Sequence, residues 1–144
     1  MAITSAKGTL VKIGDGASTE AFTTIGQVRS ISGPSVTATV QDVTTHSTSG
    51  NWMEKLATLI DPGSVSFPIN YDHSDAAHAF ATGLWNDMVN LTLRNFEIEF
   101  PTAVGQTLSI SAYIASHSFD APVDNVLQAT IELSITGAIT AAVT

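Results

Sequence analysis

The chain has 144 residues, 44% of them apolar, which is enough for one domain with a real core and excludes wholesale intrinsic disorder. Thirteen Asp and Glu stand against five Lys and Arg, a formal net charge of -8. That balance excludes wrapping of a nucleic-acid backbone, which needs clustered cations. Cysteine is absent, so disulfides, thiolate metal sites and thiol nucleophiles are excluded together.

Strand signals dominate from the start. Lys7–Ile13 is short, β-prone and closed by Gly14-Asp15-Gly16. A second apolar stretch, Phe22–Ile31, stops at Gly33-Pro34. Val36, Ala38 and Val40 alternate with Thr37 and Thr39, the period of a strand with one wet face. The stretch Thr44–Asp61 breaks the pattern. It opens with small polar residues and then carries Trp52, Met53, Leu56, Leu59 and Ile60. It is expected to be a long loop, functional as loops of that length usually are, part of which coils into a short helix on docking.

Val65, Phe67, Ile69 and Tyr71 form the next alternating run, and Pro68 assigns it to a sheet edge or a bulge. Behind the candidate cap Ser74-Asp75, the residues Ala76, Ala77, Phe80, Leu84 and Met88 share one helical face, weakened by Gly83 by about 1 kcal/mol. Phe96, Ile98 and Phe100 define a strand whose other face carries Glu97 and Glu99, after a bulge or connection near Arg94-Asn95. Leu108 to Ile114 and Leu127 to Ile135 alternate in the same way, and Glu132 falls on the wet face of the second. The tail 137–144 is expected to be a short arm or a frayed end. The expectation is a mainly β chain: one antiparallel β-sandwich or barrel spanning 1–144, with one flanking α-helix.

A search for chemistry finds little. His73 and His78 are five apart and straddle the start of the expected helix, whereas a zinc helix needs two histidines four apart on one face. The cluster Asp72, His73, Asp75 and His78 therefore reads as a solvated turn with a helix cap. His46 and His117 have no local partners. No Gly-x-Ser-x-Gly elbow and no Gly-rich phosphate loop occurs. Glu97 and Glu99, side by side on a wet strand, read as solvating carboxylates before they read as an acid–base pair. Trp52, Met53 and Leu56, in a polar setting, read as an interaction surface at least as readily as core. No segment has the ~20 apolar residues of a membrane helix, and the N-terminus lacks a signal-peptide run. Cytoplasmic synthesis and no membrane partner are the expectation.

Three stretches carry a resemblance: Val28–Pro34 (VRSISGP); Asp42–His46 (DVTTH) leading through Trp52–Leu59 (WMEKLATL) to Asp61–Tyr71 (DPGSVSFPINY); and Phe96–Pro101 (FEIEFP) followed by Leu108–Tyr113 (LSISAY). In order and spacing, over about residues 25–115, they resemble the major tail tube proteins of long-tailed, non-contractile (siphovirus-type) bacteriophages. Departures exist. Ser47 stands where the family often has an acidic residue, Pro101-Thr102-Ala103 replaces a Pro-Asp-Gly turn, and the C-terminal immunoglobulin-like domain of many members is not expected here. The resemblance implies the phage tail tube fold, no enzyme activity and no cofactor or metal. It also implies stacked, hexameric rings that form a channel for DNA ejection in the virion. It makes 44–61 the inter-ring assembly loop, with Thr44, Thr45, His46, Trp52, Met53, Leu56 and Leu59 as its contact residues. Partners implied are further copies of the chain, a tape measure protein, and tail tip and terminator proteins, with DNA passing unbound. The acidic strand residues Glu97, Glu99 and Glu132 are candidates to face the channel, where like charge keeps DNA from sticking. Two other readings are a monomeric immunoglobulin-like or adhesin-type binding module and a terminator that forms one ring and stops. A third is a small hydrolase or metal enzyme centred on the histidines, which added metal would stabilise.

Overall fold

The alternating runs become strands wherever a partner strand is available. In the computed structural model, which describes residues 3–143, the elements are β1 (Leu10–Gly14), β2 (Phe22–Thr24), β3 (Thr37–Asp42), β4 (Lys55–Asp61), β5 (Ser64–Asn70), α1 (Leu84–Val89), β6 (Arg94–Glu99), β7 (Gln106–Asp120) and β8 (Gln128–Val143). Six strands make one antiparallel sheet in the order β2-β1-β6-β7-β8-β5, and β3 pairs only with β4.

The chain leaving β2 closes the six-stranded sheet on itself. Ile25 N–H donates to Val11 O on β1; a few residues on, Arg29 and Ser32 donate to Pro68 O and Ser66 O on β5. Ser66 and Asn70 return N–H bonds to Ser32 O and Gln27 O. The backbone that continues from the end strand β2 thus bonds β1 on one side and the other end strand, β5, on the other, which makes the architecture a barrel. Pro68 sits on the end strand as expected. Its nitrogen shares the side of the Ser66 and Asn70 N–H groups, facing the closing segment, so the ladder with β8 loses nothing.

The core follows the period-two pattern. Val65, Phe67 and Ile69 of β5, Phe96 and Ile98 of β6, and Ala129, Ile131 and Leu133 of β8 point inward and are essentially inaccessible. Each large side chain of this set contributes about 1.5–3 kcal/mol by leaving water. β7 bulges between Ile114 and Ser116, which returns the following residues to their proper faces.

Four expectations are corrected. The flanking helix is only Leu84–Val89, packed on β7. The turns before it are held by Asp75, whose carboxylate accepts from Ala77 N–H and Gly26 N–H. Gly83 packs so tightly on Ala77 O that no side chain fits. The tail is no frayed arm. Through Val143 it continues β8 and pairs with the start of β7, Thr107 opposite Ala142 and Ser109 opposite Thr140, while Gly137 (φ 79°) sits in the register shift between these pairs and Ser111–Thr136. Thr144 lies outside the described residues. The loop expected over 44–61 is shorter, because Lys55–Asp61 is strand β4 and the connection spans 43–54. No part of it is helical: Leu56, Leu59 and Ile60 have helical spacing, but cross-strand pairing with β3 prevails over the costly nucleation of a short helix.

Candidate assembly surfaces

β3 and β4 form a hairpin arm. Its register runs from Thr37 opposite Asp61 to Asp42 opposite Lys55, with a bulge between Ala38 and Val40. Every residue from Ser35 to Asp61 except Thr48 is exposed. Among them are Trp52 at 83%, Leu59 at 74%, Ile60 at 71% and Met53 at 65%. Val36, Val40 and Leu56 are more than half exposed as well. The expected wet and dry faces of β3 are therefore both wet in the single chain. So much contiguous apolar surface on one projection marks a contact site for another macromolecule.

The seven candidate contact residues divide by role. Thr44 builds the tip: its N–H donates to Asp42 Oδ1 at 2.9 Å, and its hydroxyl accepts from Glu54 N–H at 2.8 Å. Hydrogen bonding to the Asp42 carboxyl, first by the Thr44 hydroxyl and then by the Thr44 N–H, holds it below the usual carboxylate range. Thr45 N–H donates to Thr48 Oγ1 at 2.9 Å. His46 is exposed, as are Trp52 and Met53 near the tip and Leu56 and Leu59 on β4. Gly63 (φ 75°) and Gly33 (φ 101°) sit at the arm's root, where a Cβ would collide with Ser35 O and Ser64 O respectively.

A second surface is the outer face of the barrel over β6, β7, β8 and β5. It carries small hydroxyls and carboxylates: Glu97 lies opposite Ser109, and Glu132 lies between Ser66 and Ser116. Glu97, Glu99 and Glu132 all point to this side, since their neighbours Phe96, Ile98, Ile131 and Leu133 fill the core. Lys12 reaches Glu99 in an ion pair, and among the described residues Glu97 and Glu132 enter none.

Two of the histidines, His78 and His117, are structural, while His46 and His73 are exposed. His78 is buried, not solvated: its Nδ1 accepts from Asp72 N–H at 2.9 Å and its Nε2 bonds Gly26 O at 2.8 Å. With both nitrogens used, it has no lone pair for a metal. His117 packs edge-on to Trp85 and against Phe119, and neither ring nitrogen has a partner. Burial, then the neighbouring His78, hold it below the ordinary imidazole value. Among the described residues no group of three His, Asp or Glu is placed to hold a metal. Sequence reading missed the Arg94–Asp87 pair (3.1 Å), whose carboxylate is almost wholly buried. It also missed the strap 25–32, for which the only sequence signal was an apolar run too long for its observed strand.

The barrel thus carries a large unpartnered arm, the mark of a protein that associates with another macromolecule. The sequence profile described as lambda phage tail tube protein (TTP) matches residues 6–142, and the chain belongs to that family. Its role is structural, in the tail tube of the virion, and the family is not one of enzymes. No curated protein matches by sequence. Among solved structures, a chain from the virion of a native gene transfer agent (GTA) particle superposes with a TM-score of 0.74 at 19% identity, covering 97% of this chain and 99% of that one. A chain from the tail of an empty GTA particle, computed with C6 symmetry, gives 0.74 at 20% identity, covering 96% and 98%. A chain from the sheath/tube terminator of an extracellular contractile injection system (PVC) gives 0.71 at 14%, covering 97% and 96%. At these identities the superpositions establish the shared fold.

Proposed function

We propose that six copies of this chain form a ring and that rings stack into the tube of a siphovirus-type phage, enclosing the channel for DNA ejection. The observation that carries the proposal is the arm: an apolar surface from Val36 to Ile60 that its own chain leaves in water. Another copy covering it gains the hydrophobic energy the monomer forgoes. Thr44, Thr45 and His46 shape and flank the tip, while Trp52, Met53, Leu56 and Leu59 provide the inter-ring contact.

Six-fold symmetry is supported by the GTA tail of the same fold. The face bearing Glu97, Glu99 and Glu132 turns toward the channel. Its carboxylates repel the phosphates of passing DNA and offer no cation cluster to hold it, so DNA transits without specific binding. Its further partners are a tape measure protein and tail tip and terminator proteins.

Negative-stain electron microscopy of the concentrated protein tests this. Hollow tubes of stacked six-fold rings are expected. Isolated rings that never stack would assign the chain to a terminator role, and monomers at every concentration and salt would defeat the proposal.

A further inference from the structure

A cleft of about 700 Å³ opens at the root of the arm, between the N-terminal segment 4–9, the strap residues 28–33 and the turn after β6. Ile31, Ile98, Phe100 and Val104 give it apolar walls. Among the described residues its only charged lining ones are Lys7 and Arg29, two of the five Lys and Arg of the chain, and none that lines it is a carboxylate. Neither cation belongs to the two ion pairs found among the described residues.

We infer that this cleft receives the tip of the arm of a second copy of the chain, with Trp52 and Met53 seated on the apolar walls and Glu54 facing Lys7 and Arg29. The inference rests on the polymerisation proposed above and names the receptor for it. The size is suitable, since clefts of roughly 300–1,000 Å³ hold compact ligands of this bulk. The charges also match. Across the hairpin Asp42 stands opposite Lys55, so Glu54, which enters neither ion pair, is the tip's unmatched charge. The arm cannot fill its own cleft: Gly33 lines the cleft, and β3 then carries the tip roughly 20 Å away at 3.4 Å per residue.

Tip and cleft are different patches, so the contact is head-to-tail, the kind that closes a ring or continues as an open stack. The rival receptor is the opposite end of the barrel, where Phe80 and Phe119 are exposed. That end carries Asp72, Asp75 and Asp120, which would repel Glu54.

Because the chain has no cysteine, a double variant offers only the two thiols placed in it. Met53→Cys/Val104→Cys alters two exposed positions and leaves the core untouched. Treated with a short bis-maleimide, assembled tubes of this variant should run as a ladder of covalent multimers on a denaturing gel. Met53→Cys/Phe119→Cys should not. A ladder from the Phe119 pair alone, or tubes in the microscope with no ladder from the Val104 pair, overturns the receptor while sparing the tube. A chain that never polymerises overturns both. In a second arm, Arg29→Glu should raise the critical concentration at least tenfold, and adding Glu54→Arg should restore it. Tubes indifferent to Arg29→Glu, or a pair without rescue, count against the contact.

Discussion

Replacing Trp52 with Ala separates assembly from folding. The side chain is 83% exposed in the single chain, so its loss removes almost nothing from the monomer. Monomer stability should stay within about 0.5 kcal/mol, as for surface substitutions generally. Covered by a neighbour, an aromatic of this size hides about 150–250 Å², worth about 4–6 kcal/mol at ~25 cal/mol per Å². Ordering of the arm offsets part of that, leaving a net loss of about 2 kcal/mol per contact, the threshold of a binding hot spot. At 1.4 kcal/mol per decade, the critical concentration for tubes should rise by about 30-fold. Pelleting across a concentration series, with thermal unfolding of the dilute protein alongside, measures both quantities. A critical concentration within about threefold of the parent, or a clearly lowered melting temperature, would refute the reasoning.

Acid acts through His117. Its folded value lies below the ordinary 6.5, so as pH falls the unfolded chain takes up the proton first. The stability it contributes is whole above about pH 6.5 and fades below it until the folded state also protonates. Urea titrations of parent and His117→Phe between pH 7 and 5 should show a shallower loss in the variant, and equal slopes would dismiss the effect. Asp87→Ala deserts the half-buried Arg94 guanidinium and should cost about 1.5–3 kcal/mol in urea denaturation; an unchanged midpoint would mean the pair is idle. Gly63→Ala combines a positive φ with a collision at Ser35 O, so it should lower stability by about 1–3 kcal/mol and impair tube formation together. Normal tubes from that variant would show that the geometry of the root is dispensable.

Much of this was readable in the chain. Alternation from Val65 to Ile69 and from Ala129 to Ile135 named the inward residues, and the same parity put Glu97, Glu99 and Glu132 outside. What pattern could not supply was partnership. Ala76, Ala77 and Phe80 have helical spacing, yet Asp75 draws the backbone N–H of Ala77 and of the distant Gly26 into turns. Residues 138–143 look too small and apolar for a strand until the first half of β7, far away in sequence, lies beside them. The strap and the cleft share this origin, since three separated segments build the cleft and none of them signals it alone.

The hairpin also bears on timing. Two strands without a third, or a layer beneath, are marginal on their own in water. In the proposed assembly, the entropy of fixing the arm therefore falls on the docking step. Two free copies meeting must order an arm against a partner no better organised than themselves, whereas a copy arriving at an existing end finds a surface already set. Initiation is then slow and elongation fast. In the proposed assembly, copies would then accumulate without polymerising at random, and whichever body offers the first organised end would decide where a tube begins.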